Sequence, residues 1–159
     1  MKCDEKVKAV RGVWTILEHQ VRDRRGRFCR PRLLSRETKD NLVTASGRGL
    51  IWDILLTVQP TIAAVAIGSD ATAVADGNAV LGAELSRWQL TSMSRANSVL
   101  TVRLFLGTTQ ANGFTYREAG IFNGYPSGGV MLNRITYSDK VKTSSKTLTY
   151  LITLTLSSS

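Results

Sequence analysis

The chain has 159 residues, 43% of them hydrophobic, and carries 21 Lys+Arg against 12 Asp+Glu for a net charge of +9. That length suits one ordinary core with an appended arm and is short for two domains. The longest uncharged apolar stretch, Ile62 to Gly68, falls far below the roughly 20 residues of a membrane-spanning helix, so no membrane partner is expected. Met1 to Lys8 mix Lys, Cys, Asp and Glu and lead into no apolar run, so synthesis in a cytoplasm is expected rather than secretion.

Charge and composition divide the chain near residue 40. Residues 1–40 hold 12 Lys+Arg against 6 Asp+Glu, and the rest hold 9 against 6. The expected organisation is a basic N-terminal arm over 1–40 and a β-sandwich domain over 41–159. In the arm, Val10 to Gln20 includes Val13, Trp14, Ile16 and Leu17, a β-branched and aromatic mixture that predicts a strand. Asp23-Arg24-Arg25-Gly26 predicts a turn, and Phe28 to Leu34 the returning strand of a hairpin, with Pro31 pointing to an edge. A lone hairpin is marginal in water, so this one is expected to lean on the main domain or on a neighbour.

Asn41 to Leu56 is the one good helix candidate, with its body over about 45–56. Thr44 or Ser46 can cap its start, and Leu50, Ile51, Ile54 and Leu55 make one apolar stripe before Pro60 ends it. Beyond it come short β-rich runs separated by turn residues. Ile62 to Ile67 is apolar, and Leu85 to Met93 and Val99 to Leu106 flank Ser94-Arg95-Ala96-Asn97 as a predicted hairpin. Phe114 to Phe122 and Val130 to Tyr137 flank the turn Asn123 to Gly129 as another. Lys146 to Leu156 alternates, with Leu148, Tyr150, Ile152, Leu154 and Leu156 on one face and Thr147, Thr149, Leu151, Thr153 and Thr155 on the other. The fold class is therefore mainly β, an antiparallel β-sandwich with one packed helix and an N-terminal hairpin arm.

Groups with a nameable catalytic role are few. His19 is the single histidine, and no nucleophile elbow, HExxH helix or phosphate loop accompanies it. Asp53, Asp70, Asp76, Glu84, Glu118 and Asp139 stand singly on different elements, which predicts no two-carboxylate hydrolase and no metal site. Cys3 and Cys29 form no CxxC, so free thiols or a disulfide between subunits are the two readings. No catalytic residue and no cofactor is expected.

Two charged features stand out. Glu118, in Tyr116-Arg117-Glu118-Ala119-Gly120-Ile121-Phe122, is expected to pair across the sheet with Arg87 or Arg134. Arg22, Arg24, Arg25, Arg27, Arg30 and Arg32 place six guanidinium groups within eleven residues about the hairpin turn. Guanidinium suits bidentate carboxylate or phosphate contacts, so an acidic protein neighbour, nucleic acid and plain solvent are the three readings of that cluster.

In order, Asn41-Leu42-Val43-Thr44, Ala64-Val65-Ala66-Ile67-Gly68-Ser69, Leu81-Gly82-Ala83-Glu84-Leu85-Ser86-Arg87, Arg117-Glu118-Ala119-Gly120-Ile121-Phe122-Asn123, Gly129-Val130-Met131-Leu132-Asn133-Arg134 and the closing strand from Lys142 form a pattern over about residues 41–156. This pattern resembles a domain family of tailed-bacteriophage structural proteins, reported as tail-fibre, tail-collar or unassigned virion proteins. The resemblance implies a homo-oligomeric particle component that acts by assembly with other tail, neck or fibre subunits, made in the host bacterial cytoplasm. The Arg-rich hairpin ahead of the domain, and the lack of a fibre repeat after it, favour an adaptor, collar or anchoring subunit over a receptor-binding fibre. A capsid decoration protein and a basic nucleic-acid-binding protein are the alternatives.

Overall fold

The computed structural model describes residues 11–47, 62–97 and 99–155. Nine strands run through them: β1 (Arg11–Arg22), β2 (Phe28–Val43), β3 (Ala64–Gly68), β4 (Glu84–Gln89), β5 (Ser92–Ala96), β6 (Val99–Leu106), β7 (Thr115–Phe122), β8 (Met131–Val141) and β9 (Lys146–Thr155). Every recorded pairing is antiparallel, in the continuous order β4-β3-β7-β8-β2-β1-β9-β6-β5. β2 is the strand at which this order passes from one sheet to the other. It pairs with β1 from Phe28 to Asn41, then with β8 at Leu42 and Val43 alone. The result is mainly β, with two antiparallel sheets consistent with a sandwich.

Alternation puts the core between the sheets. β1 contributes Trp14 and Ile16, β6 Val102, Leu104 and Leu106, and β9 Leu148, Tyr150, Ile152 and Leu154. From the other sheet come Val65, Ile67, Tyr116, Ala119, Ile121, Leu132, Ile135 and Tyr137. In β9 the even positions from Leu148 to Leu154 are buried, as the Lys146 to Leu156 pattern predicts, but of the other face only Leu151, Thr153 and Thr155 are half-buried, and Thr147 and Thr149 are covered as well. β3 is buried at all five positions, and a smaller cluster of Ala66, Leu81, Phe122 and Met131 packs separately from the main core.

Three features differ from the sequence reading. The single strand expected over Leu85 to Met93 is two strands. β4 pairs with β3 and β5 with β6, so the break at Leu90 and Thr91 sends its halves to different sheets. Ser94, Arg95 and Ala96 belong to β5 rather than to a turn, and the chain reverses only at Asn97, whose φ of 51° is the left-handed conformation that tight turns require and asparagine tolerates. The described part of the arm, residues 11–40, is built into the sheet, with β1 between β2 and β9 and Trp14 and Ile16 fully buried in the core. Trp14 and Ile16, at alternate positions, share the buried face of the strand, and the arginine cluster lies beyond it at the tip.

Of the expected helix, Ala45 to Gly47 are helical, and the remainder of the stretch to residue 56 lies outside the described residues. Its start is capped by Thr44, whose Oγ1 accepts the Gly47 N–H at 3.2 Å.

Candidate functional site at the basic hairpin tip

Beyond the core the β1–β2 hairpin continues as a tip. Its turn is built by Asp23, whose Oδ1 accepts the N–H groups of Arg25 and Arg27, each at 2.9 Å, and whose Oδ2 accepts Arg27 Nε at 3.0 Å. The Asp23 N–H donates to the Arg27 carbonyl, the Gly26 N–H returns to the Asp23 carbonyl, and Gly26 has a φ of 76°. The Arg27 N–H, helped by the Arg27 side chain and the Arg25 N–H, holds the Asp23 carboxyl below its ordinary range against the opposing effect of desolvation. Arg22 donates from Nη1 to the Gly26 carbonyl at 2.8 Å and lays its guanidinium 3.9 Å from the centre of the Phe28 ring.

The six arginines of the cluster share this tip. Arg24, Arg25, Arg27, Arg30 and Arg32 are exposed and Arg22 is half-buried. Among the described residues, Asp23 is the only carboxylate that meets any of them, through Arg27 at 3.0 Å. Phe28 is 70% exposed, Leu33 49% and Leu34 43%, and the exposed free thiol of Cys29 lies between them. Cys3 is outside the described residues. Pro31 sits where the ladder breaks: between the pairs Gln20↔Arg32 and Arg22↔Phe28, β1 has one residue and β2 has three. A residue without an N–H is tolerated in such an interruption.

Glu118 occupies the opposite kind of environment. It is fully buried on β7, and Arg134 Nε on β8 donates to its Oε2 at 2.8 Å. The Gly82 N–H also donates to Oε2 at 3.0 Å, and the Ala83 and Asp70 N–H groups donate to Oε1 at 2.7 and 3.4 Å. Arg134 spends its other nitrogens on Asn78 Oδ1 at 3.1 Å and Asp70 Oδ2 at 2.8 Å. Asp70 is itself held below the ordinary carboxylate range, first by the Thr72 N–H and hydroxyl and then, against some desolvation, by Arg134. Room for this node comes from two glycines: a Cβ on Gly68 would collide with the Ala83 carbonyl and the Glu118 carboxylate, and one on Gly82 with the Asp70 carboxylate.

Arg87, the other arginine named for Glu118, goes elsewhere. It pairs with Glu84 on its own strand at 2.7 Å, stacks 3.8 Å over the Phe122 ring, and donates to the carbonyls of Gly124 and Gly128 in the β7–β8 turn. Sequence reasoning placed Glu118 and Arg134 on neighbouring strands but gave no signal for Asp70, Asn78 or the Gly82 and Ala83 N–H groups, which arrive from the loop between β3 and β4.

The node has the chemistry of a structural tie. Its charges are opposed, its acceptors are satisfied, and both Glu118 and Arg134 are closed to solvent. Among the described residues no group of three or more His, Cys, Asp or Glu could hold a metal ion, and no helix is long and apolar enough to cross a membrane. His19 is half-buried on β1, opposite Leu33 and Thr147. No family model, curated protein or solved structure matches the chain.

Proposed function

We propose that the chain is a non-enzymatic structural component of a tailed-phage virion, a tail, neck, collar or fibre-anchoring subunit that works by symmetric assembly. The observation that carries this reading is the meeting, on one buried node, of segments far apart in sequence that make up the resemblance. Gly68 comes from the Ala64 to Ser69 element, Gly82 and Ala83 from the Leu81 to Arg87 element, Glu118 from Arg117 to Asn123, and Arg134 from Gly129 to Arg134. A pattern of that kind preserves a scaffold, and a scaffold with an exposed basic tip fits a part that assembles. Symmetry would repeat the tip's contact several times over, turning a weak single contact into a stable ring or spike.

The test is mass spectrometry of purified particles after heads and tails are separated, with the chain quantified against the major capsid protein. A few to a few dozen copies travelling with tails is the expected result. Hundreds of copies with heads would transfer the reading to capsid decoration, and absence from the particle would overturn both.

The five exposed arginines favour one reading of another class, a basic nucleic-acid-binding protein. It requires affinity for DNA or RNA that falls steeply with salt and is lost when Arg24, Arg25 and Arg27 become Ala. Flat titrations at low salt would remove it.

A further inference from the structure

The outer edge of β2 is open over the length of the tip. Among the described residues β2 pairs on that side only at Leu42 and Val43. From Phe28 to Arg36 its outward N–H and C=O groups therefore meet no strand of the described residues, and the side chains of Phe28 to Leu34 are exposed, a template that another extended chain can extend. We propose that this edge takes an extended acidic segment of another polypeptide as an added strand, with the segment's carboxylates on the exposed arginines and its apolar side chains on Phe28, Leu33 and Leu34.

Each part of the partner's chemistry follows from the edge. Arg24, Arg25, Arg30 and Arg32 have no acidic partner among the described residues, so carboxylates arriving from outside displace no internal pair. Three large apolar side chains exposed within seven residues exceed the scattered singles of an ordinary surface. A second copy of this chain is disfavoured as the occupant, since two β2 edges side by side would bring arginines against arginines. A nucleic acid backbone supplies acceptors but few donors, so it would answer the arginines and leave the strand's outward carbonyls unpaired.

The geometry is also prepared in advance. Asp23 and Gly26 fix the turn and Arg22 holds the Phe28 ring, so little order remains to be imposed on binding. Pro31 and its bulge divide the edge, and the added strand pairs as two short runs, Phe28 to Arg30 and Arg32 to Arg36.

The proposal stands apart from location in a virion, which particle mass spectrometry tests separately. Fluorescence anisotropy of the full chain would compare three labelled probes across salt: a ten-residue peptide alternating Glu with Val, a peptide of equal charge with Pro at every third position, and a single-stranded oligonucleotide. The expected result is at least tenfold tighter binding of the Glu-Val peptide than of the Pro-bearing one. Its binding is lost with the triple variant Arg24→Ser, Arg30→Ser, Arg32→Ser, which circular dichroism would verify as folded. N-methylation of alternate peptide nitrogens, which needs no change in the protein, should weaken binding in one of the two registers and not in the other. Equal binding of the two peptides would reduce the surface to charge alone. Tighter binding of the oligonucleotide would assign the tip to nucleic acid, and no binding of any probe would also overturn the proposal.

Discussion

Arg134 and Glu118 are worth more to this chain as a pair than either is alone. Removing Glu118 leaves the buried guanidinium only Asp70 and Asn78, and removing Arg134 leaves the buried carboxylate only backbone N–H groups, a loss of about 3 to 5 kcal/mol. Glu118→Ala and Arg134→Ala should each lower stability by that amount in urea unfolding, whereas Arg117→Ala, which breaks the exposed Arg117–Asp139 pair, should leave the midpoint where it is. Equal, small shifts in all three would mean that the buried pair is not the tie described. Titratable groups in the interior also shape the pH response. Burial lowers the Lys142 ammonium from 10.5 to about 8, while its Nζ donates to Asn112 Oδ1 at 2.8 Å and to the Thr143 carbonyl at 3.2 Å. Between those pH values the unfolded chain binds the extra proton, so stability rises with pH. Burial raises the phenols of Tyr137 and Tyr150 above 10, where the unfolded chain gives up protons that the folded one retains, so stability then falls. A melting temperature that climbs from pH 8 to about 10 and drops beyond it is the expected profile, and Lys142→Met should abolish the climb. At the acid end, burial would raise Glu37, but the Ser138 hydroxyl, Lys140 and the Ser138 N–H overcome it and bring it from 4.5 to about 2. Its contribution is present above pH 4.5 and lost as the pH falls toward 2.

At the scale of elements, the β1–β2 hairpin joins two different environments in one continuous pair of strands. Its base is core and its tip is surface. Trp14→Ala should cost about 3 to 5 kcal/mol by emptying a site against Tyr150, whose ring stands edge-on to Trp14 with centroids 6.3 Å apart. Replacing Arg22 to Arg32 by a two-residue Asn-Gly turn should leave thermal stability nearly unchanged, a contrast that thermal melts of the two variants would measure. A large loss on shortening would show that the tip supports the core. The strands themselves were legible in the sequence because their signals are local: β-branched and aromatic residues in Val10 to Gln20, the dense turn that follows Phe114 to Phe122, and alternation in Lys146 to Leu156. What they cannot announce is partnership. Leu85 to Met93 reads as one strand because nothing in its composition marks Leu90 and Thr91 as the place where the chain leaves one sheet for the other. Glu118 and Arg134 were visible as a pair because β7 and β8 are joined by a short turn dense in Asn and Gly. Asp70 and Asn78 were not, since loop residues carry no period from which a position can be read.

For the whole molecule, the decisive feature is the place of β1 between β2 and β9. A fragment starting at residue 41 would lose β1 whole and β2 up to Asp40 from inside the sheet, with Trp14 and Ile16 gone from the core. It should lack a cooperative melt, and native amide exchange in the full chain should protect β1 as strongly as β9. A fragment that melts cooperatively would restore the boundary near residue 40 that charge alone suggested. On this expectation the break in composition there follows the surface of the hairpin rather than the limits of a folding unit.

That same pairing sets an order in time. Among the described strands β1 is the first to leave the ribosome and β9 the last, so the sheet that contains both cannot close until β9 has emerged. Contacts between segments so distant in sequence make folding slow. Until β9 emerges, the β1 edge that it will cover stays open beside a tip dense in arginine, and repulsion between such tips opposes edge-to-edge pairing of neighbouring nascent chains in the interval.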